Sequence, residues 1–172
     1  MKFDKFDFVV IFAAAVLAAG AVFYGVAGYG TQEKAEAAAM PDPAVAAQMA
    51  PKIIEARALM DSGQVRQAAG ACKAICLADP ADASAHALYG QVCSRLQDYP
   101  DAVKEFRMCL SLNADYADSK SNKFIGRIIK ATIKECKPQF MLALSKNPKD
   151  KEAAADMENV HYLQRMLAGG CD

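Results

Sequence analysis

The side chains best suited to chemistry in this 172-residue chain are two histidines and six cysteines. No Ser-His-Asp or Cys-His set can be assembled from the sequence around His86 or His161. The glycines Gly63, Gly70 and Gly90 stand singly, so they do not form a phosphate-binding loop. The pattern predicts His86 in or near the core, His161 at the surface, and no catalytic residues. We therefore expect that the chain is not an enzyme.

The cysteines also lack the spacing of a known ligand set. Cys72 and Cys76 lie one helical turn apart and could face a shared ligand, but no pair has the C-x-x-C spacing of zinc or thioredoxin-like sites. We interpret most cysteines as small core side chains, and we expect neither a metal nor a cofactor. In an oxidising compartment disulfides remain open, and Cys171 is the most available thiol. Five cysteines fall at small apolar positions of the repeat described below: Cys72, Cys76, Cys93, Cys109 and Cys136.

Composition narrows the fold class and the partners. The 20 basic residues balance the 20 acidic ones, which argues against a nucleic-acid partner. Hydrophobic residues make up 53% of the chain but aromatic residues only 8%, and alanine supplies much of the apolar share. Strand patterns are scarce. These features predict an all-α protein whose helices pack through small residues.

An uncharged apolar stretch covers residues 8–28 within an N-terminal segment, residues 1–30. As a helix it would span about 30 Å, the thickness of the bilayer core. Ala35-Glu36-Ala37 resembles a signal-peptidase site, but the apolar region of a secretory signal runs only about 7–15 residues. The length therefore favours an uncleaved transmembrane anchor, followed by a stalk or linker over residues 31–48 that contains Pro41 and Pro43.

The charges around this stretch predict its orientation. Lys2 and Lys5 precede it, whereas Lys34 is the one lysine close behind it. Under the positive-inside rule this places the N-terminus in the cytoplasm. We expect a single-pass protein of a bacterial inner membrane, with its domain in the periplasm.

The rest of the chain repeats with a period of 34 residues. Spacings of three and four within each unit describe one buried helix face. Ser62-Gly63 and Gln97-Asp98 separate the two helical runs of the first two units. The aligned rows are Ala68, Ala102 and Cys136; Cys72, Phe106 and Phe140; Ile75, Cys109 and Ala143; Cys76, Leu110 and Leu144; and Pro80, Ala114 and Pro148.

This pattern resembles the tetratricopeptide repeat (TPR) family. In the second unit, Tyr89-Gly90 fits the large-small pair of the first TPR helix, and Ala102, Phe106 and Cys109 fit the second. The resemblance implies three helical hairpins over residues 49–148, stacked into a short solenoid, with a capping helix and tail over residues 149–172.

The third unit departs from the TPR pattern, because Lys120, Lys123 and Arg127 replace motif residues. We expect it to be degenerate, with a longer helix from Ser119 to Ile133 or beyond and a short helix that starts near Pro138.

The resemblance also implies a concave groove that is lined by the first helix of each unit. We expect this groove to bind a partner protein, with Ile125 and Ile128 as the exposed part of an apolar stripe that also includes Phe124, Ile129 and Ile133. The predicted protein-binding residues are Arg57, Gln91, Arg95, Ile125 and Ile128.

The anchor and the resemblance together predict a membrane-anchored scaffold or adaptor that binds subunits of an envelope complex. We expect it to have no small-molecule substrate. One alternative is a structural subunit that packs into a larger membrane assembly through its span, where small residues recur every fourth position. The remaining alternative is a cysteine-based redox or metal-binding protein.

Overall fold

The structure is a computed structural model that describes residues 43–169, with side-chain burial from residue 50 onward. The predicted span at residues 8–28, most of the linker and Cys171 lie outside these residues. Among residues 43–169, no helix combines the length and apolar character that crossing a bilayer requires. The described residues form helices and no strands, which confirms the all-α prediction for this part of the chain. The elements are α1 (Pro43–Asp61), α2 (Val65–Ala78), α3 (Ala83–Arg95), α4 (Tyr99–Leu112), a 3₁₀ turn (Ala114–Tyr116), α5 (Gly126–Lys146) and α6 (Lys151–Ala168).

The first two helix pairs keep the 34-residue period closely. Helices α2 and α4 begin 34 residues apart and end 34 residues apart, and so do the ends of α1 and α3. Both connecting turns contain a residue with positive φ at the same position of the repeat, Gly63 at 82° and Gln97 at 62°. The turn geometry therefore recurs although only one of the two residues is a glycine.

The small-residue row of the repeat lies in the core. Ala68, Ala102 and Cys136 are all 0% exposed. Apolar side chains form one cluster between α1, α2 and α3, and a second between α3, α4, α5 and α6. Tyr89 packs against both clusters, so it links the two hairpins.

The third unit differs from the prediction at its start. Helix α5 begins at Gly126 rather than at Ser119. Side chains in the preceding segment bond to nearby backbone: the Asp118 carboxylate accepts from the Lys120 N–H at 2.9 Å, and the Ser121 hydroxyl accepts from the Lys123 N–H at 3.1 Å. Such local bonds compete with helix formation, so this segment turns instead of winding into the predicted helix.

The prediction of a separate short helix near Pro138 was also wrong, because α5 continues through Pro138 to Lys146. Proline removes one helical hydrogen bond. Buried side chains on both sides of it, Cys136 and Phe140, anchor the two halves of α5 in the same core. Tertiary packing therefore keeps the helix continuous.

The predicted terminal helix is present as α6. The Asp150 carboxylate caps it by accepting from the N–H groups of Glu152 and Ala153, both at 3.1 Å. Arg107 of α4 donates to the Asn159 side-chain oxygen at 2.9 Å, and its guanidinium lies 5.1 Å from the centre of the Tyr162 ring. These contacts join α6 to α4. The face predicted to be apolar is buried: Ala153, Met157, Val160, Leu163 and Leu167.

Candidate functional site

The structure places three of the predicted groove residues on α1 and α3. Arg57 is exposed on α1. Gln91 donates to the Ala87 carbonyl of its own helix at 3.1 Å. Arg95 donates from Nη1 to the Met60 carbonyl at 3.0 Å, so it fastens the end of α3 to the end of α1. Arg95 therefore has a structural contact besides any role in binding.

The two predicted isoleucines lie at the start of α5 and differ in exposure. Ile125 is half-buried, packs against the core and precedes the first residue of α5. Ile128 is 39% exposed and lines a hollow of about 510 Å³ next to Ser94 and Thr132, whose hydroxyls are 2.8 Å apart. Arg57, Gln91, Arg95 and Ile125 do not line that hollow. The five residues are therefore not gathered around one cavity.

A larger apolar groove follows α5 and the end of α6. Its volume is about 1100 Å³. Met141 and Leu142 face it with 54% and 55% of their surface exposed, a high value for side chains of this type. The residues that line it are Lys130, Ile133, Lys134, Lys137, Pro138, Met141, Leu142, Ser145, Gln164, Leu167 and Ala168.

Charge and shape give this groove a definite character. Lys130, Lys134 and Lys137 recur at helical spacing, so they form a positive edge along the α5 side of the groove. Beyond Pro138 the same helix supplies Met141. Sequence reasoning missed the groove because the expected break at Pro138 separated these two stretches, which a single continuous helix brings into line.

A second cluster joins three different helices. Cys76 of α2, His86 of α3 and Glu105 of α4 place one sulfur, nitrogen or oxygen atom each within 4.8 Å of one another. His86 Nδ1 lies 2.6 Å from a Glu105 carboxylate oxygen. The other ring nitrogen, Nε2, lies 3.1 Å from the Pro80 carbonyl oxygen and donates to it. His86 is buried, as the sequence predicted.

The pKa values in this cluster reflect burial and neighbouring charge. Burial alone would lower the pKa of His86, but the hydrogen bond and charge of Glu105, the Pro80 carbonyl and the charge of Asp82 together raise it above the ordinary value of 6.5. Burial, followed by the charge of Glu105, raises the pKa of the Cys76 thiol to about 12. His86 and Glu105 therefore form a buried ion pair beside a protonated thiol.

This geometry does not support cysteine–histidine catalysis. A histidine that activates a thiol needs one ring nitrogen to accept the thiol proton. In His86, Nδ1 faces Glu105 and Nε2 faces Pro80, so both nitrogens already have oxygen partners. Among the described residues, the other histidine, His161, is exposed on α6.

The other described cysteines are buried in the helical core. Cys72, Cys93, Cys109 and Cys136 are free thiols with almost no exposed surface. Burial raises the pKa of the Cys93 and Cys109 thiols to about 12. A thiol with so high a pKa is a poor nucleophile near neutral pH, which fits the interpretation of these cysteines as core side chains.

Comparison of the chain with protein-family models, with curated proteins and with solved structures finds no match. The similarity to TPR proteins therefore depends on the residues and the 34-residue period alone.

Proposed function

We propose that this chain is a membrane-anchored, non-catalytic scaffold whose TPR-like helical hairpins bind partner proteins of a bacterial envelope complex. The observation that carries the proposal is the apolar groove along α5 and α6. Soluble surfaces seldom leave neighbouring large apolar side chains as open as Met141 and Leu142. A contiguous patch of this kind, bordered by lysines, is typical of a binding surface.

The chemistry of the groove selects its occupant. A partner helix with apolar residues three and four positions apart can place them against Met141, Leu142 and Leu167. The edge formed by Lys130, Lys134 and Lys137 attracts acidic residues beside that apolar stripe. The proposed ligand is therefore an acidic amphipathic helix of another protein.

The sequence supplies the second half of the proposal. An anchor at residues 8–28 confines the domain to the membrane surface, which raises its effective concentration toward partners in the same membrane. The lysine distribution around the anchor places the domain in the periplasm. Tethering, rather than chemistry, is the proposed mechanism.

Two synthetic peptides of equal length test the choice of ligand. Both carry leucine at positions i, i+3, i+4 and i+7, and the remaining positions hold glutamate in one peptide and lysine in the other. The full chain, reconstituted in nanodiscs of neutral lipid, is titrated against each peptide by fluorescence anisotropy, with empty nanodiscs as the blank. We expect the acidic peptide to bind more tightly, and its affinity to fall as salt rises.

Matched variants locate the binding surface. Leu142→Glu should weaken binding of the acidic peptide by at least about tenfold, which corresponds to about 1.4 kcal/mol. Leu77→Glu is the control, because Leu77 lies on α2 and is 74% exposed. Charge reversal at Lys130, Lys134 and Lys137 should shift the preference to the basic peptide. Equal affinities of the Leu142 and Leu77 variants, or an unchanged preference after charge reversal, would overturn the proposal.

The same assay detects other occupants. If the wild-type chain binds neither peptide but a Glu33→Lys, Glu36→Lys variant binds the acidic one, the chain's own linker fills the groove. If a stoichiometric partner stays bound to Leu142→Glu protein extracted from native membranes, the chain is a structural subunit held through its span. Either result contradicts a docking role for the groove.

A further inference from the structure

Cys76, His86 and Glu105 come from three separate helices, yet their ligating atoms lie within 4.8 Å of one another. The site sits where the first two hairpins pack together, away from the groove on α5 and α6. The side chains of His86 and Glu105 are only 8% and 13% exposed. Cys76 is half-buried, so the cluster is sheltered but not sealed.

We propose that Cys76 Sγ, His86 Nδ1 and the Glu105 carboxylate form a binding site for a divalent transition metal ion of the Zn²⁺ type. A thiolate, an imidazole and a carboxylate are the three protein ligands that zinc most often takes. Their mixed softness fits zinc and cobalt better than Mg²⁺ or Ca²⁺, which prefer oxygen ligands alone.

The orientation of His86 supports this assignment. Metal-bound histidines usually donate their second ring N–H to a carbonyl or a carboxylate, which fixes the ring. His86 makes this contact from Nε2 to the Pro80 carbonyl at 3.1 Å. The same bond leaves Nδ1 pointing at Glu105, the direction from which a metal would be shared by both groups.

The movement that binding requires is small. With zinc bonds of about 2.0 Å in a tetrahedral arrangement, the nitrogen and oxygen ligands lie roughly 3.3 Å apart. His86 Nδ1 and the Glu105 oxygen are 2.6 Å apart, so the pair must open by less than 1 Å, roughly. Three protein ligands leave a fourth position for water.

The charges balance when the protons are counted. Binding releases the thiol proton of Cys76 and the Nδ1 proton of His86, and the Cys76 thiolate and the Glu105 carboxylate then neutralise the two positive charges of the ion. In the metal-free protein, burial and then the negative charge of Glu105 raise the pKa of Cys76. The same carboxylate attracts a cation, so the group that disfavours a bare thiolate favours a metal-bound one.

Cobalt provides a direct test, because Co²⁺ bound to a thiolate gives a near-ultraviolet charge-transfer band and visible d–d bands. The full chain in detergent, reduced and carrying Cys171→Ser to remove the tail thiol, is titrated with Co²⁺ alone and then with Zn²⁺ alone. We expect one equivalent of Co²⁺ to produce both bands and Zn²⁺ to displace it. Zn²⁺ should also raise the melting temperature.

Matched variants assign the ligands. Cys76→Ser and His86→Asn should remove the charge-transfer band or weaken metal binding by more than about tenfold, since loss of even an outer-shell partner commonly costs that much. Cys136→Ser and His161→Asn are the controls, because both residues lie outside the cluster. Circular dichroism shows which variants are folded.

X-ray absorption of the zinc-loaded wild-type chain keeps the test independent of variant folding. One sulfur and three nitrogen or oxygen ligands around zinc would support the site. No stoichiometric uptake, a shell without sulfur, or equal losses in the Cys136 and Cys76 variants would overturn it. The α5 groove takes no part in these measurements, so their failure leaves the scaffold proposal untouched.

Discussion

The ring of Phe106 on α4 lies directly against the α-carbon of Gly90 on α3. A Cβ placed on Gly90 would come within 2.7 Å of both Cδ1 and Cε1 of that ring. Phe106 is 0% exposed and Gly90 is buried, so the ring has little room to move away. The absence of a side chain at position 90 is therefore what lets α3 and α4 pack this closely.

This contact predicts that Gly90→Ala destabilises the domain. The added methyl group must displace the Phe106 ring, and overpacking of this kind costs about 1–3 kcal/mol. Gly70→Ala is the matched control, because Gly70 also lies in a helix but has open space where a Cβ would go. Alanine there should stabilise the domain by about 0.5–1 kcal/mol through helix propensity. Urea denaturation measures both changes, and a stability gain in the Gly90 variant would contradict the packing argument.

Gln97 predicts a change of the opposite sign. It has φ of 62°, a conformation that suits glycine, and it occupies the position that Gly63 fills in the first hairpin. Gln97→Gly should raise the free energy of unfolding by about 1 kcal/mol, because the left-handed conformation costs a non-glycine residue roughly 1–2 kcal/mol and part of this gain is lost to chain entropy. Gly63→Ala is the reciprocal variant and should lower stability. Equal effects of the two substitutions would show that the turns are not equivalent.

Asp156 predicts a pH-dependent stability. Burial, followed by the negative charges of Glu152, Asp101, Asp150 and Asp98, raises its pKa from 3.8 to about 6. Protonation of Asp156 therefore favours the native state. This stability is fully present below pH 3.8 and is lost as the pH rises through about 6.

Asp156→Asn should remove this loss. At pH 7 we expect it to raise the free energy of unfolding by about 1 kcal/mol, a figure reduced from the full pKa shift because the side chain is only partly buried. Near pH 4 the variant and the wild type should be about equally stable. Asp61→Asn, at an exposed position, is the control. A gain of the same size at both pH values would point to packing rather than to charge.

Cys171 provides the test of membrane orientation. With the N-terminus in the cytoplasm, a membrane-impermeant maleimide should label the reduced chain once the outer membrane is permeabilised. The other cysteines should react slowly, because burial raises the pKa of Cys72 and Cys136 to about 11 and that of Cys76, Cys93 and Cys109 to about 12. Cys171→Ser measures this background. Labelling only after lysis of the inner membrane would reverse the orientation.

The candidate surfaces show where sequence reasoning stopped. Of the predicted groove residues, Ile128 lines a cavity, whereas Arg95 is bonded to the Met60 carbonyl and Ile125 packs into the core. The α5 groove and the cluster around His86 were not predicted. A core position occupied by histidine was the available signal for the cluster, since a buried polar side chain needs a partner.

The sequence by itself determined the first two hairpins, their buried faces and α6. Those features depend on interactions within one or two turns: apolar residues three and four apart, Asp150 at a helix start, and Gly63 in a turn. Only the tertiary structure decided that α5 continues through Pro138 and that Cys76, His86 and Glu105 meet. Local rules favour a break at a proline, and buried packing on both sides outweighs them. Residues on three helices meet only after those helices have packed, so their contact leaves no local pattern in the sequence.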